Sequence, residues 1–263
     1  MYFTPFMLGK SGSVPVLDGL LLHFDATKPT YVYTDAGITP VSASGQAVAR
    51  WRSTMSNDYY QQAATPAYRP TFYTGGLNGK SYVSFDGVND AMEMAWATKF
   101  ATNSKSWFMV MTPLASNAGT SYPFFLSFGQ ATKGTSIYMY NNNPKYWEWS
   151  QGGWTINFVR SATSDYVQGT PKILIGRSSY PGSSTGIKLW TSGNATANQS
   201  SNPVIDYGTN PRAIIGGEPD GNTTIRNKSM MAMYEFGFYN KSLTDTETTL
   251  LSNYFRTKYG ILW

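Results

Sequence analysis

A tryptophan-rich stretch near the middle of the sequence is the segment best suited to contact a ligand. Trp147 and Trp149 lie two positions apart, so on a β-strand their rings share one face. Gly152–Gly153 predicts a turn, and Trp154 follows it. Exposed rings would stack on sugars, with Glu148 as a hydrogen-bond partner, whereas buried rings would pack the sheet. The carbohydrate-binding hypothesis therefore assigns Trp147, Glu148, Trp149 and Trp154, and the buried alternative stays open.

Carboxylates with the spacing of a glycosidase are not found on any predicted strand. Glycoside hydrolysis needs two carboxyl groups close together on one face. Glu218 and Asp220 come nearest to a Glu-X-Asp-X-X-Glu pattern, but Thr223 replaces the third acid. Pro219 and Gly221 predict a turn there rather than a strand. These residues therefore give no support for a hydrolase.

Histidine and cysteine chemistry is limited by composition. The sequence has no cysteine and one histidine, His23, which excludes disulfides, thiolate sites and histidine metal clusters. His23 alternates with Leu22 and Phe24 in a predicted strand. We expect it to be a packed strand residue rather than a catalytic base. We predict that the protein is not an enzyme and needs no cofactor.

Asp86, Asn89 and Asp90 are crowded into one predicted turn. Their oxygens are suitable ligands for calcium. The same residue types also stabilise tight turns by accepting hydrogen bonds from their own backbone. We favour the turn and predict no metal site.

The first sixteen residues form an apolar N-terminal arm before the domain predicted at residues 17–263. Prolines and glycines break the arm, and Phe3, Phe6, Met7 and Leu8 give it an apolar surface. The arm would pack either across its own sandwich or on a neighbouring subunit, since terminal segments stay loose unless they are docked. The four apolar residues are the predicted partner-docking site.

The composition is typical of a β-sandwich with polar turns. Of 263 residues, 16% are aromatic and only 13% are charged. The net charge of +5 is spread along the chain without a lysine or arginine run, which predicts no nucleic-acid partner. The N-terminus lacks a basic region followed by a long apolar run, so we expect no export signal and no membrane insertion.

The elements that must position these residues are short strands and one C-terminal helix. Both alternating sets of Met231–Tyr239 are mostly apolar or aromatic, which predicts a strand covered on both faces. Thr244 and Glu247 have capping-box spacing, and Gly260 is placed to end the helix in the left-handed conformation. Strand patterns recur at short intervals before this region, with turn residues between them. This order predicts two packed antiparallel sheets.

Several sequence blocks resemble concanavalin A-like, laminin G-like jelly-roll domains over about residues 17–261. The blocks are Leu22–Ala26, Trp51–Ser53, Gly76–Asp90, Gly186–Trp190, Ile214–Gly217, Glu235–Thr244 and Lys258–Ile261. The resemblance implies an all-β sandwich of two curved antiparallel sheets with one C-terminal helix. It implies less about function, because this fold occurs in lectins, glycosidases, adhesion modules and virion proteins.

Two functions follow as expectations. The first is a non-enzymatic virion structural protein of a bacteriophage (capsid decoration, tail or fibre), assembled in the host cytoplasm. It would be anchored by the arm, with other virion proteins as partners and a homo-oligomer as its assembly state. The alternative is a carbohydrate-binding or adhesion module that uses an aromatic face. The two are compatible, since a virion protein can also bind a host-surface glycan.

Overall fold

Two large antiparallel sheets, one short hairpin and one helix make up the computed structural model. It describes residues 13–36, 39–62, 65–94, 105–115, 122–129, 134–140, 145–151, 158–178, 187–191, 194–199, 207, 211–220 and 224–262. Strands are numbered in chain order. Sheet A contains β1 (Leu20–Asp25), β3 (Gln46–Ala47), β6 (Thr71–Tyr73), β7 (Tyr82–Asp86), β9 (Lys105–Ala115), β14 (Lys172–Ser178), β15 (Ile187–Thr191), β16 (Asn194–Gln199) and β20 (Met230–Tyr239).

Sheet B lies against sheet A and also has nine strands among the described residues. It contains β2 (Val32–Tyr33), β4 (Arg50–Arg52), β5 (Tyr59–Gln61), β8 (Met92–Met94), β10 (Phe124–Gly129), β11 (Thr135–Tyr140), β12 (Tyr146–Gln151), β13 (Phe158–Arg160) and β17 (Arg212–Ile215). The hairpin consists of β18 (Glu218–Asp220) and β19 (Thr224–Arg226), and the helix α1 is Asp245–Tyr259. Short 3₁₀ helices lie at Pro29–Tyr31, Pro66–Tyr68, Leu77–Gly79 and Thr163–Asp165.

The strand orders define a jelly-roll sandwich. Sheet A runs β16-β15-β14-β9-β20-β7-β6-β3, and β1 pairs with the C-terminal half of β20. Sheet B runs β13-β12-β11-β10-β17-β8-β5-β4-β2. The predicted fold class, an all-β sandwich of two antiparallel sheets with one C-terminal helix, is confirmed.

Strand β20 is the centre of sheet A and is buried on both faces, as its sequence predicts. Met231, Met233, Phe236 and Phe238 belong to the core between the sheets. Tyr234 and other residues of β20 belong to a second apolar cluster, which α1 covers. Because both faces of the strand exclude water, both of its alternating sets of side chains are mostly apolar, and Glu235 is the charged exception.

The core between the sheets is built largely from aromatic rings. Phe24 and Phe236 stack with centroids 4.7 Å apart, and Trp107 meets Trp149 edge-on at 5.4 Å. All four side chains are fully buried. Rings of this size dominate the apolar area that folding removes from water.

The helix begins and ends at the predicted residues. The backbone N–H of Glu247 donates to the Thr244 hydroxyl at 3.2 Å, and that of Thr244 donates to the Glu247 carboxylate at 2.8 Å. Gly260 closes the helix with a φ of 65°, a left-handed conformation that favours glycine. Leu251 and Phe255 lie on the buried face and pack on sheet A.

Some short strands are not evident from the sequence. Residues 57–70 look like turns, yet Tyr59–Gln61 forms β5 in sheet B. The turn predicted at Glu218–Asp220 is wrong, because this segment pairs with β19. Pro219 is tolerated there because a two-stranded hairpin leaves an outer edge that needs no donor.

The end of the N-terminal arm packs on its own sandwich. Val14 and Val16 are buried in the cluster under α1, and the Tyr239 hydroxyl donates to the Val16 carbonyl at 3.0 Å. The predicted docking residues Phe3, Phe6, Met7 and Leu8 lie outside the described residues. Within the described part of the chain, no helix has the length and apolar character to cross a membrane.

The Thr244 cap should contribute measurably to stability. Replacing Thr244 by Ala leaves the Glu247 amide without its acceptor, and we expect the free energy of unfolding to fall by about 1 kcal/mol. Thr249→Ala, an exposed change inside the same helix, is the control and should have a smaller effect. Urea unfolding measures both, and equal losses would contradict the capping role.

Candidate functional site

The predicted tryptophan platform is corrected by the structure. Trp147 and Trp149 share a face of β12, as expected, but that face points into the core and both side chains are 0% exposed. Glu148 points to the opposite, outer face of sheet B and is also buried. Trp154 lies outside the described residues. Because a sugar cannot stack on a buried ring, Trp147 and Trp149 are packing residues.

The outer face of the same strands carries a polar cluster that the sequence does not single out. Register pairs Tyr138 of β11 with Glu148 of β12, and Glu148 with Arg160 of β13. The Tyr138 hydroxyl donates to one oxygen of Glu148. The Arg160 Nε donates to the other oxygen at 2.6 Å. Glu148 is therefore held between a phenol and a guanidinium.

Aromatic rings flank this guanidinium. The Arg160 guanidinium carbon lies 4.1 Å from the centre of the Phe158 ring and 4.8 Å from that of Tyr146. The Arg160 side chain is 44% exposed, whereas Glu148 is 1% exposed. We call Tyr138, Tyr146, Glu148, Phe158 and Arg160 the Arg160 site. It presents an exposed, oriented cation beside a partly exposed ring.

Electrostatics keep both hydrogen-bond donors of this site protonated. Burial and the charge of Glu148 raise the pKa of Tyr138, so its hydroxyl remains a donor. Burial lowers the pKa of Arg160, but the hydrogen bond and charge of Glu148 outweigh it and raise the pKa overall. A tyrosine nucleophile would require the opposite shift. The arrangement presents hydrogen-bond donors and does not activate Tyr138 as a nucleophile.

The turn after β7 uses its carboxylates internally, as the turn interpretation predicts. One oxygen of Asp86 accepts the backbone N–H groups of Val88, Asn89 and Asp90 at 2.8–3.1 Å. Asp90 accepts the N–H of Asp86 at 2.9 Å. Burial raises the pKa of Asp90 to about 7. Asp86 and Asp90 are therefore close together because both accept hydrogen bonds from the backbone of the turn.

A second buried polar cluster lies under α1 and joins distant parts of the chain. Glu235 accepts from His23 Nε2, Lys258 Nζ and the Tyr259 hydroxyl, each at 2.6 Å. Lys258 Nζ also lies 2.9 Å from Asp25. We call His23, Asp25, Glu235, Lys258 and Tyr259 the Glu235 network. It ties β1 and β20 to the last turns of the helix.

His23 is a structural residue of this network. It is 3% exposed, its Nε2 contacts Glu235, and its Nδ1 lies 2.9 Å from the Thr54 hydroxyl. Nε2–H donates to the Glu235 carboxylate, and the Thr54 hydroxyl can either donate to Nδ1 or accept from it. Since both ring nitrogens are engaged and water is excluded, His23 is not placed to act as a general base on a substrate.

The network has the donor types of a metal site but holds an internal cation. Ligand atoms of His23, Asp25 and Glu235 lie within 4.8 Å of one another. Lys258 Nζ bonds to both carboxylates, so its ammonium group supplies the positive charge that a metal ion would bring. The arrangement therefore fits a buried ion cluster better than a metal centre.

Acid should weaken the sandwich through Glu235. Burial raises its pKa, but the hydrogen bond and charge of His23 and the charge of Lys258 outweigh burial and lower the pKa to about 2. A pKa below the unfolded value of roughly 4.3 means that the stabilisation is complete above about pH 5 and is lost toward pH 2. We expect about 3 kcal/mol of stability to disappear across this window, measured by urea unfolding at a series of pH values.

Glu235→Gln is the variant that isolates this effect. It should be less stable than wild type at neutral pH, because the amide cannot replace a buried carboxylate between charged partners. Its stability should also change less between pH 5 and pH 2. Glu93→Gln, at a partly exposed position of β8, is the control and should keep the wild-type pH profile. An unchanged pH profile in Glu235→Gln would contradict the assignment.

Comparisons with known proteins identify the fold. No family model matches the chain, and no curated protein matches it. Among solved structures, the Trypanosoma rangeli sialidase in complex with sialic acid has a TM-score of 0.58 at 14% identity, over 91% of this chain and 33% of that chain. The sialidase in complex with 2,3-difluorosialic acid has a TM-score of 0.59 at 13% identity, over 94% of this chain and 34% of that chain.

A toxin structure has the same degree of similarity. The botulinum neurotoxin serotype D binding domain has a TM-score of 0.58 at 9% identity, over 90% of this chain and 51% of that chain. This chain thus spans about a third of the sialidase chains and about half of the toxin domain. At such identities the likeness shows the fold, a jelly-roll-like β-sandwich shared by enzymes and by binding domains.

Proposed function

We propose that this protein is a non-catalytic carbohydrate-binding module and that the Arg160 site contacts the sugar. The observation that carries the proposal is the partly exposed Arg160 guanidinium, held by buried Glu148 beside Phe158. Sugars are recognised by planar hydrogen-bonding groups together with aromatic surface, and this site supplies both.

The anchoring of Arg160 favours binding because it limits the entropy lost when a ligand arrives. A free arginine side chain loses considerable rotamer freedom when it is fixed in one geometry. The 2.6 Å bond to Glu148 and the rings of Phe158 and Tyr146 already restrict Arg160. Such preorganisation raises affinity without additional contacts.

The similar structures support the proposal in a general way. One is a sialidase in complex with sialic acid, and another is the binding domain of a neurotoxin. The same fold therefore occurs both in an enzyme and in a binding domain. The raised pKa of Tyr138 and the buried position of His23 favour binding over catalysis for this chain.

Arg160→Ala tests the site. We expect it to reduce the affinity for sugars found on a glycan array by about tenfold, the loss of roughly one charge-assisted hydrogen bond. Isothermal titration measures the affinity. Arg226→Ala is a matched control, because Arg226 is also partly exposed and donates from Nε to a buried carboxylate, Glu218, at 2.8 Å. It should bind sugars as wild type does.

Phe158→Leu tests the contribution of the aromatic ring separately from that of the Arg160 cation. It retains apolar volume but removes the aromatic face, so we expect a several-fold loss of affinity with Arg160 still present. Wild-type affinity in both Arg160→Ala and Phe158→Leu would place the sugar elsewhere. Absence of any glycan ligand for the wild-type protein would overturn the proposed function.

Assembly into a virion is a separate proposal. It rests on the apolar sequence of the N-terminal arm, and it includes other virion proteins as partners and a homo-oligomeric state. The fold is compatible with it but does not favour it over other uses. Mass spectrometry of dense particles from the source tests it: a fixed ratio to a shell or tail protein supports assembly, and recovery only in the soluble fraction contradicts it.

A further inference from the structure

A second group of charges, partly exposed, lies at the opposite end of the outer face of sheet B. Trp51 and Tyr60 point into the core, so the alternation of β4 and β5 turns Arg50 and Arg52 outward together with Tyr59. Strand β2 pairs with β4, and Tyr33 lies opposite Arg50. We call Tyr31, Tyr33, Arg50, Arg52 and Tyr59 the Arg50–Arg52 patch.

Tyrosine rings support both guanidiniums of this patch. The Arg50 guanidinium carbon lies 3.8 Å from the centre of the Tyr59 ring. That of Arg52 lies 5.0 Å from the Tyr31 ring and 5.6 Å from the Tyr33 ring. Stacking on a ring holds the plane of a guanidinium and leaves its N–H edge available to an acceptor.

Neither guanidinium is neutralised by a carboxylate in the described part of the chain. Arg50 donates weakly to the neutral Gln61 at 3.5 Å, and its buried Nε has no hydrogen-bond partner among the described residues. Four other arginines of the described chain are matched by acids. The pairs are Arg160 with Glu148, Arg177 with Asp245, Arg212 with Glu93, and Arg226 with Glu218.

On the same face of sheet B, the neighbouring strands β8 and β17 pair an arginine with a carboxylate. Glu93 of β8 binds Arg212 of β17 through two hydrogen bonds of 2.7 and 2.6 Å. The next outward residue toward Arg50 is Gln61, which pairs with Glu93 in register and carries no charge. The positive charge of β4 is therefore left without a carboxylate counterpart among the residues that the structure describes.

We infer that the Arg50–Arg52 patch is a second contact, separate from the Arg160 site, that binds the carboxylate of an acidic sugar, so that this module takes an anionic glycan. This inference rests on the proposed glycan-binding function and specifies its ligand class. A guanidinium presents two parallel N–H donors that match the two oxygens of a carboxylate. Residues i and i+2 of a strand are about 7 Å apart, which suits one acidic sugar unit better than an extended polyanion.

The experiment compares ligands that differ only in the carboxylate. Trigalacturonate and 3′-sialyllactose are titrated into the wild-type protein alongside the methyl ester of each. We expect each acid to bind about tenfold more tightly than its neutral counterpart, and the preference to shrink as salt is added.

The variant Arg50→Gln with Arg52→Gln should abolish the preference for the acids and leave binding of the neutral sugars unchanged. Lys80→Gln with Lys188→Gln is matched in net charge and lies on the sheet A side of the sandwich, so it should keep the preference. Circular dichroism and thermal melting check the fold of each variant. If the double arginine variant does not fold, Arg52→Gln alone decides, because Arg52 makes only ring contacts among the described residues.

The outcomes separate this inference from the function on which it rests. Suppose that neutral sugars bind through Arg160. If the wild-type protein then shows no preference for acidic sugars, or if the Arg50 and Arg52 variants keep that preference, the inference is overturned and the proposed function stands. Failure of every sugar to bind would overturn both. Tighter binding of oligodeoxythymidylate than of either acidic sugar, lost with Arg50 and Arg52, would replace the glycan by nucleic acid.

Discussion

The buried carboxylate of Glu235 is the constraint on which the arrangement of sheet A depends. An ionised carboxylate without water requires donors of matching charge, or it becomes protonated. A β-bulge between Met233 and Glu235 lies where this side chain meets the helix, and His23 reaches it from β1. Lys258 and Tyr259 reach it from α1. The helix must therefore lie across β1 and β20, and it closes the outer face of sheet A at its centre.

Because α1 covers the outer face of sheet A, the outer face of sheet B is the one on which a ligand site can form. The centre of that face is itself covered, because the hairpin β18–β19 packs across β10 and β17. Ser127 donates to the carbonyl of Gly217, and Arg212 donates to that of Thr224. Ile214 is consequently fully buried although it points away from the core. The two ends of the face carry the Arg160 site and the Arg50–Arg52 patch.

Local patterns in the sequence predict the fold well and the site poorly. Capping chemistry at Thr244 and the two-faced apolar pattern of β20 are local, so they identify the helix and the central strand correctly. The Glu235 network joins residues more than two hundred positions apart, and no spacing rule brings His23 to Glu235. Alternation alone could not show which face of β12 is inside, because Glu148 is as buried as Trp149. The turn predicted at Gly152–Gly153 implies that the strands on either side of it pair, and this pairing could have suggested the Glu148–Arg160 contact.

The arginines on the outer face of sheet B differ in whether a carboxylate lies opposite them. Arg212 and Arg160 each have a carboxylate within hydrogen-bond distance, Glu93 and Glu148 respectively. A glutamate at the position of Gln61 would give Arg50 the same internal partner, yet the residue there is neutral. Stacking on Tyr59 fixes the orientation of Arg50 without consuming its charge. A guanidinium that is oriented by a ring and has no carboxylate partner among the described residues can meet a ligand anion without first breaking an ion pair.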